Sequence, residues 1–173
     1  MACALTQGYN LDCRDSYGGV NTVYVMAFGD ATTITAAAGI VTAITKATAK
    51  RFWRYKLIAH TADGSESMKM SREAGTIEVE QSLKFPINKM TVAVRNELML
   101  LAKNRLLFVY VDENGLGWLY GKDYGLMGET FEAKTGVQLA DRNGYELAFM
   151  GKEKELAMQV DATTLAALET PGT

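Results

Sequence analysis

Cysteine, histidine and grouped carboxylates are the side chains through which a protein of 173 residues would most readily do chemistry, and this sequence holds two cysteines and one histidine. Both cysteines fall in the opening stretch MACALTQGYNLDCRDSYGGV, as Cys3 and Cys13, among small, polar and glycine residues that build no core. Three uses compete for such a segment: a disulfide staple, half of a metal site, or an arm that folds against a neighbour. Zinc needs four ligands, and with His60 the sole histidine a site would have to recruit carboxylates at no recognisable spacing. Two cysteines are also far below the density of a disulfide-built secreted scaffold, so a reducing compartment fits the chain better. DENGLG begins like a calcium loop, with Asp112 and Asn114 at the first and third positions and Gly117 at the sixth. Leu116 at the fifth position offers no side-chain oxygen, and Asp123 stands at the twelfth where a bidentate glutamate belongs. In GLGWLYG the spacing of Gly115, Gly117 and Gly121 departs from GxGxxG, and its setting is a hairpin, not a strand entering a helix. His60 stands at the end of a strand-like run with no nucleophile or orienting partner beside it. No nucleophile elbow, Walker loop, HExxH pair or CxxC pair occurs. The residues therefore name no catalytic, metal or cofactor site, no cofactor is expected, and the reading is of a protein that is not an enzyme.

Composition agrees with a folded, water-soluble body. Hydrophobic residues make up 48% of the chain and charged residues 22%, ordinary globular proportions for a length that one core can serve. The formal charge of −2 lacks the basic excess that sequence-independent phosphate binding requires. No long apolar run and no leader pattern is present, so neither membrane insertion nor export by a cleaved signal is expected.

The hydrophobic pattern is mainly that of strands. TVYVMAF, residues 22–28, is β-branched and aromatic, and two short strands follow around Gly39. RFWRYKLIAHT and TIEVEQSLKF both alternate with a period of two; the second sets Ile77, Val79, Leu83 and Phe85 against Thr76, Glu78, Glu80 and Lys84. The polar stretch between them, Asp63–Gly75, predicts the projecting tip of a long hairpin formed by residues 52–60 and 76–85, with Met68 and Met70 able to continue a strand into it. After Pro86 the period changes: Met90, Val94, Leu98 and Leu101 share one helical face, predicting a packed helix over about 89–104 with Asn88 or Thr91 as its cap. LLFVYVD, the DENG turn and GLGWLYG predict a hairpin, and TFEAKTGVQLADRNGYELAFMG predicts a short strand, a turn at Gly136, a turn at Asn143–Gly144 and a last strand carrying Tyr145, Leu147 and Phe149. The expected organisation is an N-terminal arm (1–19), a β-rich α+β body (20–151) and a C-terminal segment or arm (152–173). Polar excursions and loose ends cost conformational entropy unless a neighbour orders them, so assembly outranks catalysis.

Three stretches carry a resemblance. AC-x-LTxGY-x-LxC-x-DSYGGV-x-x-VY at the start, INKMTVAVRNELMLLAKNRL in the centre and DRNGYELAFMGKEKELA near the end make the chain similar to virion structural proteins of tailed phages of Bacteroidetes-type hosts. The order of elements resembles that of a major tail tube protein. The resemblance implies a β-sandwich or barrel-like body with a projecting hairpin and extended terminal arms, forming homo-hexameric rings stacked into a tube. Such a tube meets other virion proteins at its ends and passes genomic DNA without sequence-specific binding or membrane contact. The implied location is the virion tail, after synthesis in the bacterial cytoplasm. By the same resemblance Glu78 and Glu80 become candidates for lumen-facing carboxylates. Asp63, Glu66, Met68, Met70 and Arg72 become candidates for an inter-ring loop, and Cys3, Tyr9, Leu11 and Cys13 for an arm ordered by the next subunit.

Two other classes compete. A neck, tail-terminator or capsid-decorating protein shares β-rich edges and assembly. A small-ligand or carbohydrate-binding β-sandwich would stack its ligand on Trp53, Trp118, Tyr120 and Tyr124.

Overall fold

A computed structural model describes residues 7–9 and 13–172. The sequence-predicted arm residues Cys3 and Leu11 lie outside them. Among the described residues the chain is mainly β, with eleven strands, one substantial helix and two short helical turns in two open sheets.

The first strand, β1 (Val20–Ala27), is followed by a 3-10 turn and then by β2 (Ala31–Ala37) and β3 (Ile40–Lys46). Ala38 and Gly39 join β2 to β3, both at positive φ, 52° and 80°. A two-residue turn with both φ positive matches the right-handed twist of antiparallel strands, and the strain falls on Ala38 because glycine adopts this conformation freely. Next come β4 (Trp53–Lys56), β5 (Asp63–Ser71) and β6 (Thr76–Asn88), and the chain then turns into α1 (Val92–Lys103). Thr91 caps the helix, its Oγ1 accepting the Val94 N–H at 3.3 Å, while Asn88 remains the last residue of β6. The helix therefore starts three residues later than its predicted bound, and Met90 lies ahead of it, exposed.

The remaining elements are β7 (Leu106–Asp112), β8 (Gly117–Tyr120), β9 (Met127–Lys134), β10 (Gly144–Glu153), β11 (Met158–Val160) and the short α2 (Ala162–Ala166). Seven strands form one sheet in the order β2-β3-β11-β8-β7-β1-β4, and four form the other in the order β5-β6-β10-β9. The two sheets share a core: Val23, Val25, Phe108 and Tyr120 from the first meet Leu83, Phe85, Leu147 and Phe149 from the second, with Leu98 and Leu101 of α1. Phe149 is its hub, with ring centroids 4.8 Å from Phe108, 5.1 Å from Phe131 and 5.7 Å from Phe85. A second core on the far face of the large sheet joins Met26, Val41, Leu107, Val109, Leu119 and Val160 to Phe52 and Leu168. With cores on both sides, Leu106, Leu107, Phe108 and Val109 of β7 are buried on both faces, which is why LLFV runs continuously apolar instead of alternating.

Two expectations need correction. Residues 52–60 do not pair with 76–85: β4 is antiparallel to β1, at an edge of the large sheet. β6 lies between β10 and β5, and its hairpin partner is β5, in register from Asp63↔Lys84 to Ser71↔Thr76, so most of the predicted inter-ring loop is strand and only Arg72–Gly75 turns. DGSESMKMS has almost no intrinsic strand preference, and pairing with the β-branched and aromatic β6 imposes its conformation. Nor is the C-terminal segment a free arm within this chain. β11 sits between β3 and β8, and Val160, Thr164 and Leu168 are buried. A three-residue strand followed by alanine and threonine is too short to show a period.

Candidate functional site

The sequence drew attention to β6, and the structure builds the surface around it. Along β6 the side chains of Val79, Gln81, Leu83 and Phe85 turn into the core while Glu78, Glu80 and Ser82 turn outward. The register that separates Glu78 and Glu80 from Val79 is thereby fixed. Neither carboxylate stands alone: Glu78 Oε1 lies 2.8 Å from Lys152 Nζ and Glu80 Oε2 lies 3.0 Å from Lys69 Nζ. The hydrogen bond from Lys152 holds the Glu78 carboxyl below the usual carboxylate range and raises Lys152 in return. The outward face is a ladder of alternating charges; Lys134, between Glu132 at 2.7 Å and Glu146 at 3.0 Å, repeats the device on β9 and β10.

The inward face of the same hairpin behaves differently along its length. At the Met68↔Val79 pair the core ends: Val79 is fully buried, while Met68 is 42% exposed. One pair further out, Met70↔Ile77, both side chains are open, at 71% and 59%. The row of apolar residues continues past the body with nothing over it. A polar network sits just inside this boundary. Glu66 Oε1 accepts from Gln81 Nε2 and from the Ala157 N–H, each at 2.8 Å, and Gln81 Oε1 accepts the Gly121 N–H at 2.9 Å. Tyr110 and Tyr120 meet edge to face beside it, and burial, acting first, pushes both phenols up.

The predicted site residues thus divide. Met68 and Met70 form the exposed apolar tip, Arg72 lies in the turn, and Asp63 begins β5 on the outward face opposite Lys84. Glu66 points inward as a structural anchor. Tyr9 and Cys13 are exposed. The arm's root is built by the DENG turn, whose residues account for the calcium-like spacing. Asp112 Oδ1 accepts the Asn114 and Leu116 N–H groups, both at 2.9 Å, and Asn114 exchanges two 2.9 Å hydrogen bonds with the backbone of Tyr17.

Of the four aromatic residues offered for ligand stacking, Tyr120 is 1% exposed and belongs to the core, and Trp118 donates Nε1–H to Asp112 at 3.3 Å. They present no common open face. His60 is exposed, with a φ of 61°. Among the described residues no group of three or more histidine, cysteine, aspartate or glutamate side chains is placed to hold a metal.

The sequence reading missed Gln81, which interrupts an apolar face, and Glu153, whose carboxylate is buried beneath the β8–β9 connection and accepts the N–H groups of Asp123, Tyr124 and Gly125. The chain does turn between β9 and β10 as expected, with Gly136 at a φ of 74°, but the reading missed that Val137 and Leu139 are fully open to solvent there and that Asp141 holds the backbone.

No protein-family model, no curated protein and no solved structure matches this chain.

Proposed function

We propose that this chain is a virion structural protein, the tail tube subunit that forms stacked hexameric rings around a DNA channel, with a body of β-sandwich type. The observation that carries the reading is the β5–β6 hairpin, which runs beyond the core with Met70 and Ile77 uncovered on one face and paired charges on the other. An isolated monomer gains nothing from such a tip; a second copy laid against it would bury the two side chains, worth about 1.5–3 kcal/mol each. The sequence resemblance supplies the identity of the assembly, and the structure supplies a surface suited to one.

On this reading the outward ladder of β6 and β10 faces the channel. Each carboxylate of Glu78 and Glu80 is met by a lysine, so the wall is closer to neutral than the two glutamates alone suggest. A neutral, hydrated wall offers a passing polyanion no cluster of unpaired cations to bind. The protein's other partners are virion proteins at the tube ends, and its place is the virion tail.

The double variant Met70→Lys, Ile77→Lys tests the surface. Both positions are exposed, so the unfolding midpoint should remain within the range of ordinary surface changes, about 0.5 kcal/mol. Light scattering should show multimers for the parent chain and monomers for the variant. Multimers of unchanged size would remove the hairpin from the interface.

A further inference from the structure

The last fifteen described residues are held as a ligand is held. In the large sheet β3 is hydrogen-bonded to β2 and β11 alone, so β11 is the joint between the β2–β3 hairpin and the other four strands. It enters parallel to β3, with the Gln159 and Asp161 N–H groups donating to the carbonyls of Gly39 and Val41 at 3.0 Å, and antiparallel to β8. Gly117 admits the segment closely: a Cβ there would stand 3.0 Å from Leu165 and 3.4 Å from Val160. Beyond the strand, Thr164 Oγ1 donates to the Thr42 carbonyl at 2.7 Å. The Lys46 ammonium donates to the carbonyls of Ala167, Leu168 and Thr170 at 2.7, 3.2 and 2.6 Å. These are peptide-recognition contacts: strand addition, an apolar side chain in a pocket, and a cation on the carbonyls that end a helical turn.

The tether differs in kind. Residues 154–157 carry the chain from the small sheet to the large one outside any strand; 154–156 are exposed, with Glu155 3.6 Å from Lys122 and Lys154 over the Tyr124 ring, and the Ala157 N–H is fixed by Glu66 where the segment enters the slot.

We propose that the slot between β3 and β8 is a peptide-binding site whose ligand is residues 158–172, and that it accepts this segment from a second copy of the chain as well as from its own. Every contact described above is available in either arrangement, so exchange changes connectivity without changing the interface. In a lone chain the tether keeps the tail at an effective concentration on the order of millimolar, which favours the closed form. Copies held side by side raise the competing concentration. The inference rests on the fold alone and stands or falls separately from the tube reading.

The test uses the full chain with a protease site inserted after Glu155. Cleaved and uncleaved protein are each mixed with an excess of dye-labelled peptide of residues 157–173 and passed through a sizing column. The cleaved protein should carry the dye and the uncleaved protein at least tenfold less, while a peptide with Val160→Asp should not bind either. Absence of dye on the cleaved protein, whether it keeps its own tail or unfolds, would overturn the proposal, and so would equal uptake of the Val160→Asp peptide.

Discussion

Gln81 occupies a core position on β6 where the alternation calls for an apolar side chain, and it is 2% exposed. It is tolerated because both ends of its amide are used, one by Glu66 and one by the Gly121 N–H. Substituting leucine keeps roughly the volume and removes one hydrogen bond from each partner. Glu66 retains its hydrogen bond from Ala157, but the Gly121 N–H loses its acceptor. Gln81→Leu should therefore destabilise the fold by about 1–3 kcal/mol, read as a lower urea midpoint at unchanged slope. An unchanged midpoint would show that water replaces the amide at no cost. Polar residues of this kind escape a sequence reading, since a lone glutamine within an apolar alternation signals burial only once its partners are brought beside it, Glu66 from the paired strand β5 and Gly121 from the end of β8.

At the scale of elements, what was legible followed from how much of each strand's fate lies in its own side chains. β6 showed its inward and outward faces in TIEVEQSLKF, β7 its double burial in LLFV, and α1 its stripe in Leu98 and Leu101. β5 showed no more than a strand continuation at Met68 and Met70, and β11 showed nothing, since DGSESMKMS and MQV are strands only because neighbouring backbones pair with them. Between β9 and β10 the turns at Gly136 and Asn143–Gly144 were legible, but the shape of the loop was not. Its shape is set by Asp141, whose Oδ2 accepts the Val137 and Gln138 N–H groups at 2.8 Å each. Those bonds hold its carboxyl below the usual aspartate range, the Gln138 bond first. A carboxyl depressed in the folded state stabilises above its unfolded pKa and stops doing so as pH falls through the folded one. Amide exchange at Val137 and Gln138, corrected for the intrinsic pH dependence, should lose protection below about pH 4, and Asp141→Ala should remove that protection at neutral pH. Protection that ignores both changes would mean that the loop is held by something other than Asp141.

At the scale of the whole molecule, three features lie at the margins of the two-sheet body. The hairpin tip is apolar and open, the arm root at Tyr17 is clamped by Asn114, and the C-terminal segment fills a slot in the large sheet. The candidate surface was half legible in advance. Glu78, Glu80, Met68 and Met70 were singled out through the resemblance, but the lysines that pair with the glutamates and the pairing of the methionines' strand with β6 emerged only from the register between strands, which no local pattern encodes.

The central claim is that copies of this chain assemble into a tube, and negative-stain electron microscopy of the purified protein at physiological salt tests it most directly. The account predicts hollow tubes or six-fold rings of uniform diameter. A field of single, monodisperse particles of one-chain mass, at concentrations where the hairpin tips would meet, would contradict it.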